Sequence, residues 1–138
     1  TERLMRMTRS LHDDVDLLVL DCPPGMTLLT ENVLRAADAL IVPVVPAPLS
    51  LRMLEQLDEF IARTGWSDLR ILPFFSMVDR RKSLHDDVIA HARTHHPGIL
   101  QTEIPYWSDI ERMTVRRAPL PAFAPGGPAA RLYASLWE

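Results

Sequence analysis

Val15-Asp16-Leu17-Leu18-Val19-Leu20-Asp21-Cys22-Pro23-Pro24-Gly25 is an apolar run that ends in a carboxylate and then in a stiff turn. Apolar residues that do not alternate with polar ones read as a strand buried on both faces, as in a parallel sheet. Residues 15–21 are therefore predicted to form a strand. Further runs at 39–46 and 71–78 have the same character, and a weaker one at 99–104 is interrupted by Gln101, Thr102 and Glu103. Between them, helical spacing of apolar residues predicts helices over 2–12, 27–37, 49–63, 82–94 and 129–137. Ser83 and Asp86 suggest a Ser-x-x-acid cap, and Ser108-Asp109-Ile110-Glu111 matches a capping box that should start another helix.

Strand and helix alternating in this way imply right-handed β-α-β crossovers and a doubly wound, mostly parallel sheet with flanking helices. Proline and glycine punctuate the joins at 23–25, 46–48, 97–98 and 125–128, and none of these is long enough to separate two domains. One domain over 1–138 is the expectation. The hexapeptide Ser-Leu-His-Asp-Asp-Val occurs at 10–15 and again at 83–88. Its flanks do not match, so it does not mark a repeat.

With 47% apolar and 24% charged residues, the chain can bury a core of ordinary size. A formal charge of −3 gives no overall attraction to nucleic acid or acidic lipid, so any such binding needs a local patch. The single cysteine, Cys22, excludes an internal disulfide and a metal site built on paired thiolates, and it fits a reducing cytosol. No apolar run reaches the roughly 18 residues that span a bilayer. The first nine residues do not read as a signal peptide. A start at Thr1 rather than Met is what a fragment or a processed chain would show.

In open α/β sheets ligands sit beyond the carboxyl ends of the strands. Asp21 at such an end can hold Mg²⁺ through water, since Mg²⁺ keeps much of its hydration shell. Pro23 and Pro24 would stiffen the loop beside it. An Asp at a strand end also serves as a turn or helix cap, and taken alone the run does not decide between the two. The longer stretch does. LLVLDCPPGMTLLTENVLRAADALIVPVVPAPLSLRMLEQL, residues 17–57, resembles the ParA, Soj and MinD family of P-loop partition ATPases along its whole length. The family shows an apolar strand, an Asp-Cys-Pro-Pro loop, a helix containing Asn, then Ala-Ala-Asp and a strand ending in prolines. LPFFSMVDRR (72–81) and EIPYW (103–107) fall where the family has its next two strand ends.

The resemblance implies a P-loop NTPase-like (Rossmann-like) fold, ATP and Mg²⁺ as ligands of the intact protein, and a cytoplasmic location. It makes Asp21 the Mg²⁺-associated carboxylate and the catalytic-site acid. Cys22, Pro23, Pro24 and Gly25 become the loop that senses the γ-phosphate. Met77, Asp79, Pro105 and Tyr106 become adenine-pocket candidates, although Met77 also suits a core and Pro105 a plain turn. Family members bind DNA without sequence preference, which nominates Arg80, Arg81, Arg116 and Arg117. A solvated basic face is the alternative, and Tyr106-Trp107 stand where the family often has an arginine. The implied partners are a second copy in a homodimer and a ParB-like protein, with no membrane attachment, because 129–137 holds only Arg131 as a basic residue.

The family's phosphate loop, glycine-rich with two lysines, has no counterpart here. None of the five glycines lies in a G-x-x-x-x-G-K-[ST] setting, and Lys82 is the only lysine. The chain therefore reads as the C-terminal half of a ParA-like ATPase domain, with no ATP hydrolysis expected of it alone and self-association expected through exposed apolar surface. A non-catalytic interaction module of the same half-fold is the alternative. His91 and His95 stand at i and i+4, a metal-ligand spacing without a third ligand, and read as a solvated helix face. Cys22 has no His partner that would make it a nucleophile.

Overall fold

The computed structural model describes residues 11, 14–22, 28–66 and 68–137. Its elements are α1 (Leu28–Ala36), β1 (Ala39–Val44), α2 (Pro48–Thr64), β2 (Arg70–Val78), α3 (Ser83–His95), β3 (Glu103–Pro105), α4 (Ser108–Arg116), α5 (Leu120–Phe123) and α6 (Pro128–Leu136). Among the described residues the sheet has three strands in the order β1-β2-β3, both pairs parallel. Parallel neighbours need a crossover, and α2 and α3 supply the two.

Each join has a local cause. Pro48 opens α2, where its missing N–H would be unpaired anyway, and Gly65 closes the helix in the left-handed region at φ 69. Prolines also stand inside both long strands. Pro43 lies in β1, which has a neighbour on one side only among the described residues, so a lost donor is tolerable there. Pro73 lies in the middle strand. Its carbonyl accepts Leu100 N–H at 2.8 Å, on the side facing the start of the β3 segment. The nitrogen of a strand residue points the same way as its carbonyl, and β3 pairing begins only at Phe75. The absent N–H of Pro73 therefore costs no ladder bond.

The main core joins sheet and crossover helices. Val44, Phe75 and Val78 from the strands meet Leu51 and Leu54 of α2 and Val88, Ile89 and Ala92 of α3. A second cluster holds Leu34 of α1, Ile61 of α2 and Leu69 before β2, while Leu120, Ala129 and Ala130 centre a third among the C-terminal helices. α6 lies against β3.

The structure corrects four expectations. No strand forms over residues 15–21; Leu17 and Val19 are 67% and 70% exposed. A strand exists by its ladder, and β1 pairs with β2 alone among the described residues, so the run has no strand beside it to pair with there. The fourth expected strand, at 99–104, contracts to Glu103–Pro105. Ile99 is buried and Leu100 bonded to Pro73, but Gln101 and Thr102 break the run between them and the ladder. α3 and α4 begin where expected but without side-chain caps, their N-cap residues being Lys82 and Trp107. At α4 the Trp107 carbonyl accepts both Ile110 and Glu111 N–H, and the Glu111 carboxylate takes the Tyr106 hydroxyl instead of reaching back. The short α5 was not expected at all. Except for residue 11, the helix expected at 2–12 falls outside the described residues.

Candidate functional site

Between β2 and β3 the register slips. Phe75 pairs with Glu103 and Val78 with Pro105, so β2 carries one residue more than the strand it faces. Met77 takes up the excess at φ 58, a left-handed conformation that non-glycine residues rarely adopt. A bulge bends its strand and re-aims the residues after it. The ladder then ends in one further bond, Tyr106 N–H to the Val78 carbonyl at 2.9 Å. This ties the β2 end to the β3 end and leaves a cleft of about 600 Å³ beyond both carboxyl termini.

Asp79, Arg80 and Arg81 line one side of this cleft, and Pro105, Tyr106 and Trp107 line the other. Three of the four adenine-pocket candidates (Asp79, Pro105 and Tyr106) thus come together. Met77, half exposed, lies outside the lining because the bulge turns it away. The rim is polar and strongly paired. Arg81 grips Asp79 in a fork, Nε to Oδ1 and an η nitrogen to Oδ2, each at 2.9 Å, and its backbone N–H reaches Oδ1 at 3.1 Å. Those hydrogen bonds hold the Asp79 carboxyl well below the usual carboxylate range. Tyr106 donates its hydroxyl to Glu111 Oε1 at 2.9 Å, which pushes the phenol up from its ordinary value.

Behind the rim sits a carboxylate shared by two cations. Glu103 receives Arg93 at 2.9 Å and Arg80 on its other oxygen, and Arg80 also pairs with Asp86. The Asp86 hydrogen bond is the first reason the Arg80 guanidinium is held more firmly charged. Arg80 is therefore engaged on two sides, Arg81 is paired but 84% exposed in its side chain, and Arg116 lies 5.0 Å over the Phe123 ring. Arg117 caps α4 in the left-handed region at φ 48.

The remaining candidates lie elsewhere. Asp21 is exposed and lines neither hollow, while Cys22 borders a second, mostly apolar one of about 800 Å³ beside β1, with Leu34, Ile41, Met53 and Phe60. Pro23, Pro24 and Gly25 fall outside the described residues. Among the described residues there is no group of three or more His, Cys, Asp or Glu side chains that could hold a metal. His91 and His95 stack on each other at 4.1 Å. A single carboxylate is compatible with Mg²⁺ chemistry, since that ion is held by one or two carboxylates together with phosphates and water. No helix among the described residues is long and apolar enough to cross a membrane.

A family model described as an AAA domain matches residues 1–68. Among curated proteins, the chromosome-partitioning ATPase Soj of Thermus thermophilus is 34% identical over 96% of this chain and 55% of its own length. The sporulation initiation inhibitor protein Soj of Bacillus subtilis is 27% identical over 97% of this chain and 55% of its own. The chain is a relative of the ParA-type partition ATPases. An uncharacterized protein of Pseudomonas putida is 33% identical over 88% of this chain and 45% of its own length. This ParA relative spans about half the length of the curated proteins it matches.

Trp107 lines the cleft, and in the sequence it stands out only as a departure from the family pattern. His85 lies behind the cleft wall and carries no signal as part of the repeated hexapeptide, yet His85, Val88, Ile89 and Ala92 are the buried positions of α3. A histidine on the inward stripe of an amphipathic helix is the signal that could have found it.

Proposed function

We propose that this chain supplies the nucleotide-base cleft and the metal-associated carboxylate of an ATP-dependent, dimerising ParA-type switch that acts in partitioning or positioning a DNA molecule or other cargo. The observation that carries this reading is the cleft itself. It stands beyond the carboxyl ends of two adjacent parallel strands, where open α/β sheets bind ligands, and its walls are the two loops that the resemblance nominates. Asp79, Pro105 and Tyr106 would hold adenine, with Met77 bracing the loop from the bulge. Asp21 would hold Mg²⁺ through water, and Cys22, Pro23, Pro24 and Gly25 would respond to the γ-phosphate. Bound Mg-ATP supplies the phosphoryl group and the charge to which that loop responds.

DNA contact is assigned to Arg80, Arg81, Arg116 and Arg117, whose phosphate contacts would need only a positive patch. A ParB-like protein and a second copy of the chain are the expected partners. The test is Mg-ATP binding by the full-length gene product and its Tyr106→Ala variant. Stacking of a base on an aromatic ring is worth roughly 1–3 kcal/mol, so the variant should bind about five- to 150-fold more weakly. Equal affinity of the two proteins would remove Tyr106 from the site. Salt-dependent DNA binding with no response to ATP would favour a non-catalytic interaction module instead.

A further inference from the structure

His85 is 7% exposed and stands out among the described residues as a buried polar side chain. Burying an imidazole is costly unless its polar atoms find partners. Its Nδ1 lies 3.1 Å from the Asp79 backbone nitrogen. A backbone amide can only donate, so Nδ1 carries the lone pair and the ring is neutral, with its proton on Nε2. Two backbone bonds also tie the chain between the two residues. Lys82 N–H reaches the Asp79 carbonyl at 3.1 Å, and His85 N–H reaches the Lys82 carbonyl at 3.0 Å.

Asp79 is the first residue past the end of β2, so no strand offers its N–H an acceptor. The bulge at Met77 has just redirected the backbone there, and Tyr106 fixes the Val78 carbonyl. Arg80 also ties the turn to Glu103 and Asp86, but its side chain is 61% exposed, where ion pairs are worth little, so the buried His85 bond is the firmer anchor of Asp79, Arg80 and Arg81 relative to Pro105 and Tyr106. We propose that His85 is a positioning residue of the cleft: its neutral imidazole pins the Asp79 amide and so fixes the turn that forms one cleft wall. The pin runs from the buried face of α3 to the strand end that precedes the helix. That makes the packing of the α3 core a determinant of cleft geometry. The consequence for ligand binding rests on reading the cleft as a nucleotide-base site, whereas the pin itself does not.

Two measurements on the full-length gene product test this separately. A scalar coupling between the Asp79 amide nitrogen and His85 Nδ1, seen by nuclear magnetic resonance, is expected in the unmodified protein; its absence overturns the pin. Mg-ATP affinity is then compared across His85→Asn, which keeps an acceptor near Nδ1, His85→Gln, which moves it, and His85→Leu, which removes it. His85→Asn should stay within about threefold of the unmodified protein while His85→Gln and His85→Leu lose about tenfold, the scale of one net hydrogen bond. His85→Gln binding as tightly as His85→Asn would overturn the positioning role, even if His85→Leu fails to fold. An unmodified protein that shows the coupling but does not bind Mg-ATP would sink the base-site reading and leave the pin standing.

Discussion

Asp79 has both carboxylate oxygens occupied by Arg81, and its ionised form is favoured accordingly. A carboxyl depressed in the folded state contributes stability above its unfolded value near pH 4, and that contribution is lost as pH falls toward the folded value. Replacing Arg81 by Gln should therefore raise the Asp79 titration midpoint toward the ordinary range, as read from its carboxyl carbon resonance. Any stability gap between the two proteins should begin to narrow below about pH 4 and close only as pH falls toward the folded value. Asp58 behaves in the opposite sense. Burial pushes its carboxyl up, and His96, with Nδ1 3.7 Å away, opposes that only in part. The charged form is thus disfavoured by folding, and Asp58→Asn should leave stability at pH 7 unchanged or higher, with the difference vanishing once both states are protonated. A clear loss of melting temperature at pH 7 would contradict this. Positions at the strand ends were legible, as for Asp79 and Tyr106, which share one cleft. Roles were not legible where they depend on a partner distant in the chain, as for Glu103 between Arg80 and Arg93.

Apart from the short α5, the helices and the two long strands follow from periodicity and punctuation. α2 shows how: Pro48 and Gly65 bound it, and Leu51, Leu54 and Ile61 mark its buried stripe. Gly65 sits at φ 69 with open space where a side chain would go. Gly65→Ala should therefore cost about 1–2 kcal/mol from the left-handed backbone alone, with no steric contribution. Phe75 is 0% exposed at the centre of β2 and of the main core. Phe75→Ala should cost about 3–5 kcal/mol, measured by urea denaturation. What periodicity does not encode is pairing. Residues 15–21 are mostly apolar, as β1 is, yet form no strand because no strand pairs with them among the described residues. The bulge at Met77 is invisible for the same reason, since it is a mismatch between two strands and belongs to neither sequence alone.

Across the whole molecule, apolar surface is unevenly spent. Ile41 on β1 and Met53 on α2 are 46% and 55% exposed beside the 800 Å³ hollow. Among the described residues β1 has no strand on its other side, and an unpaired edge beside apolar side chains promotes association. The chain should therefore self-associate in sedimentation velocity, and Met53→Asp should shift it toward monomer; a monomer at every concentration would contradict this. At this scale the alternating α/β architecture was legible in the sequence, but the meeting of two loops 24 residues apart, Asp79–Arg81 and Pro105–Trp107, emerges only from parallel pairing of β2 with β3. The most direct test is titration of Mg-ATP into the full-length gene product while following the backbone amide signals of 78–81 and 106–111. Saturable shifts concentrated in these two loops are predicted. Signals that stay in place at saturating Mg-ATP would contradict the assignment of the cleft as the nucleotide-base site.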